Sequence, residues 1–141
     1  MDNFKATQLH TEILKAISEM GFQTPTPIQA KTIPHLMSSN QDLIATAQTG
    51  TGKTAAFGLP SIHLTNIKYN DTQTLVLCPT RELCIQIAKD LAKYSKYLNG
   101  INILAVYGGS DIRAQIKSLN KGAHIVIGTP GRTKDLIKRK K

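Results

Sequence analysis

The eight residues Ala47-Gln-Thr-Gly-Thr-Gly-Lys-Thr54 constrain this chain most. Before them comes Asp42-Leu-Ile-Ala-Thr46, a short apolar run that reads as a buried strand. After them comes Ala55-Ala-Phe-Gly-Leu59, which continues as a helix. A glycine-rich loop between a strand and a helix is a phosphate site for physical reasons. Gly50 and Gly52 let the backbone curl with its N–H groups facing inward, and the helix N-terminus adds unpaired N–H groups and the positive end of its dipole. Lys53 can reach terminal phosphates, and the Thr54 hydroxyl can ligand Mg²⁺. The regular pattern, G-x-x-x-x-G-K-[ST], begins with glycine where this chain has Ala47. The plainer alternative is an ordinary strand–turn–helix connection that happens to contain Gly-Lys-Thr.

The length, 141 residues, suits one domain with a sizeable core. Lys and Arg number 18 against 9 Asp and Glu, a net charge of +9 that favours a polyanionic partner, either nucleic acid or an anionic membrane surface. No run of about 18 apolar residues is present, so no membrane-spanning helix is expected. Met1–Lys15 lacks the apolar centre of a secretory signal, and the expected location is cytoplasmic. Cys78 and Cys84 are the only cysteines, and in a cytosolic chain they read as reduced core residues, not as a disulfide or a metal pair. The four histidines, His10, His35, His63 and His124, show no ligand spacing, so no metal site beyond a nucleotide-bound Mg²⁺ is expected.

The N-terminal part predicts a helix from about Thr7 to Met20, with Leu9, Ile13 and Ile17 on one face and Gly21 ending it. Phe22–Pro27 is a proline-punctuated turn, and Pro27 suits the first position of the next helix, Ile28 to about Met37, which Pro34 should break or kink. From there the chain alternates. Leu43–Ala45, Leu75–Cys78, Ile103–Val106 and Ile125–Ile127 are unbroken apolar runs of the kind that parallel strands covered on both faces require. Between them lie two helical stripes. One is Leu83, Ile87, Leu91, Tyr94 and Leu98, and the other Ile112, Ile116 and Leu119. A further helix starts near Gly131. The alternation predicts an α/β fold of right-handed βαβ units, with a doubly wound parallel sheet and helices on both faces. Ligands then sit beyond the carboxyl ends of the strands. The glycine-rich loop, Pro79–Arg81, Gly108-Gly109 and Thr129–Arg132 all fall at such ends.

Taken alone, Gly21-Phe-Gln-Thr-Pro-Thr-Pro-Ile-Gln29 is a turn that starts a helix. It also holds an aromatic ring that can stack on a base and, in Gln29, an amide that can pair with the N6/N7 edge of adenine. Followed by Ala47–Thr54, it resembles the Q-motif and motif I of the DEAD-box ATP-dependent RNA helicases. That family carries an aromatic upstream, where this chain has Phe4, 17 positions before Gly21. Its motif I begins with Ala, which Ala47 matches. Pro79-Thr-Arg-Glu-Leu83 resembles motif Ia, Gly108-Gly109 the double-glycine motif, and Thr129-Pro-Gly-Arg132 motif Ib. The order is the family's and the resemblance covers essentially the whole chain. Two positions depart from the usual pattern: Cys84, where Ala is common, and Thr133, where Leu is common.

The resemblance implies a RecA-like P-loop NTPase fold that binds ATP and Mg²⁺. It implies that Phe22 stacks on adenine, with Phe4 behind it, and that Gln29 reads the base edge. Ala47, Gln48, Thr49, Gly50, Thr51 and Gly52 would wrap the phosphates. Lys53 would neutralise them and act in catalysis together with Thr54, the Mg²⁺ ligand. Pro79, Thr80, Arg81, Gly108, Gly109, Thr129, Pro130, Gly131 and Arg132 would form the surface that meets RNA through its backbone, without reading sequence. The chemistry agrees, since glycine N–H groups, helix N-termini and Arg all bind phosphate. Each element also has a plainer role: Thr80 as a helix cap with Glu82 in the first turn, Gly108-Gly109 as a tight turn, and Thr129–Arg132 as a proline turn into a helix.

Residues 1–41 then form the Q-motif region, and residues 42–141 the P-loop with the following βα units. The family's Asp-Glu-Ala-Asp motif does not occur in the 141 residues, nor does its Ser-Ala-Thr motif or second domain. The expectation is therefore an N-terminal part of the first RecA-like domain, ending before the Asp-Glu-Ala-Asp strand. Such a piece would bind nucleotide weakly without turnover, and would self-associate to cover its sheet. Two other classes stay open on the residues alone: a different P-loop enzyme, such as a DNA-directed helicase, and a non-catalytic nucleotide- or RNA-binding fragment. From Ser110 to Lys141 nine Lys or Arg stand against Asp111 and Asp135, and Lys138–Lys141 read as a solvated helix face.

Overall fold

Apolar periodicity and turn chemistry are translated into helices and strands in a computed structural model that describes residues 3–141. The chain divides into two compact units, Met1–Leu64 with Lys93–Asn99, and Thr65–Ala92 with Gly100–Lys141.

The first unit is helical. A 3-10 turn, Phe4–Thr7, ends at Gln8, whose φ of 60° is left-handed. Helix α1 follows at Thr11–Glu19. The predicted continuous helix from Thr7 is thus corrected to a turn, a break and a helix. The break arises because Asn3 and Thr7 satisfy the 3-10 turn locally, through Ala6 N–H to Asn3 Oδ1 and Thr7 Oγ1–H to the Phe4 carbonyl. Leu9, Ile13 and Ile17 are all buried. Gly21, at φ +85°, ends this part, with its N–H on the Ser18 carbonyl and that of Phe22 on Ile17. Helix α2, Pro27–Ser38, runs through Pro34 without a break. Pro34 costs the helix one hydrogen bond, and the Ser38 hydroxyl takes up the Pro34 carbonyl at 2.7 Å. Helix α3 is Lys53–Leu64, with Ala55, Ala56, Leu59 and Ile62 buried, and it packs against α2.

Leu43–Ala45 does not form the expected strand. It belongs to no ladder, and Ile44 is 96% exposed. A strand is held by backbone partners on a neighbouring strand, and among the described residues none lies beside this segment.

The second unit holds a three-stranded parallel sheet: β1 (Thr74–Leu77), β2 (Ile103–Val106) and β3 (Ile125–Gly128), in the order β1-β3-β2. Thr74 pairs with Ile125 and Ile103 with Ile125, so β3 is central and all four of its residues are buried. Helices α5 (Ile112–Lys121) and α6 (Pro130–Lys138) contribute Ile112, Ile116, Leu119 and Leu136 to a cluster with Leu104, Val106, Ala123 and Val126. Leu75 stands opposite Val126 in register and so shares its face, yet Leu75 and Leu77 are 48% and 57% exposed. Helix α4, Arg81–Tyr94, buries Cys84, Ile87, Leu91 and Tyr94. Its buried stripe therefore starts at Cys84 and not at the expected Leu83, which is exposed. Leu98 lies past the end of that helix.

Candidate functional site

The glycine-rich loop is held from one side. The Thr26 hydroxyl donates to the Thr51 carbonyl at 2.8 Å, and Gln29 Nε2 donates to the Gly52 carbonyl at 3.1 Å. Both donors stand at the start of α2, where Thr26 and Gln29 form a capping box, with the Thr26 N–H on Gln29 Oε1 at 3.0 Å. In a trans peptide the carbonyl and the following N–H point in opposite directions. Tying down the Thr51 and Gly52 carbonyls therefore aims the N–H groups of Gly52 and Lys53 away from α2. Gly50 and Gly52, at φ +81° and +83°, make the curl possible. A Cβ on Gly52 would collide with Gln29 Nε2. Within the loop, the Thr51 hydroxyl closes on the Gln48 carbonyl at 2.6 Å.

Lys53 opens α3 and is exposed, and among the described residues no carboxylate pairs with it. Thr54 is half-buried one residue further along. Ala47 is half-buried, and Gln48, Thr49 and Gly50 are exposed. Beside the loop lies a cavity of about 490 Å³, lined by Phe4, Phe22, Gln23, Thr24, Thr26 and Gln29 with Gly50 and Gly52. The Phe22 ring lies between Phe4, at 6.0 Å, and Tyr94, at 6.1 Å, centroid to centroid. Gln29 is 2% exposed, and each end of its amide makes one protein hydrogen bond, so one lone pair and one N–H remain for a ligand. Thr26 is the residue bonded to this loop that sequence reasoning passed over. Its signal was the capping-box spacing Thr26-x-x-Gln29.

The structure brings a second group of predicted residues together at the carboxyl ends of β1, β2 and β3. Parallel strands end on one side, so Pro79–Arg81, Gly108-Gly109 and Thr129–Arg132 cluster there. The Arg81 guanidinium lies over the Tyr107 ring at 5.0 Å. A Cβ on Gly109 would stand 3.6 Å from Arg81 Nη1. Arg132 donates to Gln115 Oε1 at 2.8 Å and to the Ser110 carbonyl at 3.1 Å, while Gln115 Nε2 donates to the Tyr107 carbonyl at 3.2 Å. Asp111 caps α5 through the Arg113 N–H, and the Arg113 side chain, followed by the Arg132 charge, holds its carboxyl below the usual carboxylate range. Thr80 caps α4 through the Leu83 N–H at 3.2 Å, and Thr129 precedes α6 with Pro130 at its first position. Pro79, Gly108, Pro130 and Gly131 are exposed. Tyr107 and Gln115 escaped the sequence reading because their role is a tertiary contact. Gln115 sits on the apolar side of α5, three residues after Ile112, and that is the only signal it gives.

A parallel sheet flanked by helices, with loops gathered at the carboxyl ends of its strands and a braced glycine-rich loop elsewhere in the chain, is the architecture of a RecA-like P-loop NTPase domain. The DEAD/DEAH box helicase family model matches residues 26–141, and the chain belongs to that family. It is 54% identical over 140 residues to the ATP-dependent RNA helicase CshA of Listeria monocytogenes, covering 99% of this chain and 26% of the relative. It is 46% identical over 136 residues to the ATP-dependent RNA helicase DeaD of Mycobacterium tuberculosis, covering 96% and 24%. A solved DEAD box protein from the hyperthermophile Methanococcus jannaschii superposes with a TM-score of 0.91 at 44% identity, covering 97% of this chain and 37% of that one. The chain thus spans about a quarter of the length of these curated relatives.

Proposed function

We propose that the chain is the ATP-binding part, and one portion of the RNA-binding surface, of an ATP-dependent RNA helicase that couples ATP binding and hydrolysis to duplex unwinding or remodelling. The observation that carries this reading is the bracing of the Thr51 and Gly52 carbonyls by Thr26 and Gln29, which leaves loop N–H groups and Lys53 for a triphosphate. The residues fit ATP: Phe22 offers a ring for the base, Gln29 retains a free donor and acceptor for the adenine edge, and the cavity joins both to the loop. The Thr54 hydroxyl suits Mg²⁺, an ion that neutralises charge between phosphate oxygens when bound. RNA is the proposed partner of Thr80, Arg81, Gly109, Thr129 and Arg132, and the net charge of +9 supports a polyanion. The expected place of action is the cytoplasm.

The 141 residues alone are expected to bind nucleotide without turning it over, since no Asp-Glu-Ala-Asp carboxylates orient the ion and the attacking water. Exposed Ile44, Leu75 and Leu77 support self-association of this length of chain. The test assays ATP turnover with and without RNA, for the 141 residues and for a longer chain that includes that motif and the second domain. RNA-stimulated turnover only in the longer chain is expected. Turnover by the 141 residues, abolished by Lys53→Ala, would overturn the reading.

A further inference from the structure

The two cysteines left unused by this reading bracket one of its loops. Cys78 directly follows β1, with its N–H on the Gly128 carbonyl at 3.0 Å. Cys84 lies in the first turn of α4, with its N–H on the Thr80 carbonyl at 3.1 Å. Strand end and helix start thus place both backbones, and they bring the Sγ atoms of these two free, buried cysteines to 2.6 Å, within hydrogen-bond distance. Between the two cysteines lies Pro79–Leu83, the turn that carries Thr80 and Arg81.

We propose that Cys78 and Cys84 form a reversible oxidation site, which closes to a disulfide on exposure to a peroxide, clamps the Pro79–Leu83 turn and weakens its hold on RNA phosphate. The last clause rests on the reading that this turn meets RNA. The two sulfurs have different parts. Cys84 is fully buried, and burial, followed by its hydrogen bond to Cys78, pushes its thiol up to about 12. Of the two, Cys78 keeps 5% of its surface exposed and Cys84 none, so Cys78 is the sulfur nearer to an oxidant. The Cys78 thiolate attacks one peroxide oxygen. The O–O bond breaks, the departing hydroxide takes the proton that Cys78 gave up and becomes water, and sulfur, oxidised by two electrons, becomes a sulfenic acid. Cys84 sulfur then attacks Cys78 sulfur. The S–S bond forms, the S–O bond breaks, and the departing hydroxide takes the Cys84 proton as water. In sum, two thiols and one peroxide give one disulfide and two waters.

The closed ring contains Thr80 and Arg81. With the thiols reduced, the Thr80 hydroxyl accepts the Leu83 N–H, and Arg81 rests on the Tyr107 ring. A bridge from the strand end to the first turn of α4 closes the turn into a covalent ring and limits how far these two ends can separate when the turn meets a phosphate.

The experiment treats the full chain with hydrogen peroxide, quenches it, and follows it by intact mass and peptide mapping, by maleimide labelling in denaturant, and by anisotropy of a fluorescent single-stranded RNA. Mapping separates the disulfide from oxidation of the three methionines. Expected are a Cys78–Cys84 linked peptide, two thiols lost to maleimide, a several-fold loss of RNA affinity, and recovery of all three with dithiothreitol. Cys84→Ala should bind RNA like the untreated chain and show no loss on oxidation. Two free thiols after treatment, or Cys78 taken to sulfinic acid with no linked peptide, would overturn the site. A linked peptide with unchanged RNA affinity would overturn the clamp. Absence of RNA binding by the reduced chain would instead count against the RNA reading, because the mass and thiol measurements stand without it.

Discussion

Substitution of Gln29 separates two jobs that its amide does. Oε1 completes the capping box with the Thr26 N–H, and Nε2 braces the Gly52 carbonyl. Gln29→Ala removes both bonds from a side chain that is 2% exposed. At about 1 kcal/mol per hydrogen bond, plus part of the penalty for a half-buried Thr26 N–H left without an acceptor, the chain should lose about 2–3 kcal/mol. Gln29→Glu keeps an acceptor for Thr26 but sets a carboxylate oxygen against the Gly52 carbonyl. That carbonyl still accepts the Ala56 N–H at 3.1 Å, so it is not orphaned, but a carboxylate is costly to bury on a side chain that is 2% exposed, and the stability loss should be at least as large as in Gln29→Ala, about 2–3 kcal/mol or more. The loop, however, loses the Gln29 brace in both variants and keeps only the Thr26 bond to the Thr51 carbonyl. If orientation of the loop N–H groups is worth about 1–2 kcal/mol to a bound triphosphate, affinity falls about five- to thirtyfold. Urea unfolding reads the first effect, and titration with fluorescent ATP and GTP the second. Bracing predicts that Gln29→Glu weakens both nucleotides, and adenine recognition predicts that Gln29→Ala weakens ATP more than GTP. Unchanged triphosphate affinity in Gln29→Glu would refute the brace. Equal losses for ATP and GTP in Gln29→Ala would refute the base reading.

Thr133 is buried, and among the described residues its hydroxyl has no hydrogen-bond partner, so Thr133→Val should raise stability by about 1 kcal/mol in urea unfolding. A loss of stability would show that the hydroxyl is satisfied. Arg81→Ala and Arg132→Ala should each weaken RNA binding alike across sequences and flatten its salt dependence by about one phosphate contact, and a loss confined to one sequence would contradict backbone contact. His63 Nδ1 accepts the His10 N–H at 3.1 Å, and burial, followed by the neighbouring His10, lowers the pKa of His63. The folded state therefore disfavours the proton. This contribution is present above about pH 6.5 and is lost as pH falls through the lowered folded value. His63→Asn, which keeps an acceptor, should flatten the fall in unfolding midpoint across that range, and an unchanged slope would assign it to other groups.

Much of this architecture is legible in the residues. The apolar runs Leu75–Cys78, Ile103–Val106 and Ile125–Ile127 mark the strands Thr74–Leu77, Ile103–Val106 and Ile125–Gly128 to within a residue at either end, and of the three only β3 is fully buried, as a central parallel strand is. Pro27 and Gly21 marked a helix start and a helix end by local chemistry alone. Leu43–Ala45 has the same apolar character and yet forms no strand, because a strand also needs a partner, which is a property of distant residues and not of its own composition. The local bonds of Asn3 and Thr7 shifted the start of α1 in a way that hydrophobic period does not register. At the sites, the phosphate loop stood out through its spacing. The contacts of Tyr107 and Gln115 did not, since neither residue type at its position distinguishes a core contact from a surface one until β2, α5 and α6 are brought together.

Binding of ATP with Mg²⁺ to the full chain, measured by calorimetry beside Lys53→Ala, tests the central claim most directly. Lys53 is exposed, so its truncation should leave the unfolding midpoint unchanged. Loss of a charged contact to phosphate, worth about 1.5–3 kcal/mol, should weaken binding about ten- to a hundredfold. Saturable binding to one site, weakened to that extent in a variant that remains folded, is the result this account predicts. A folded chain that binds no ATP, or that binds it equally well with Ala at position 53, would contradict it.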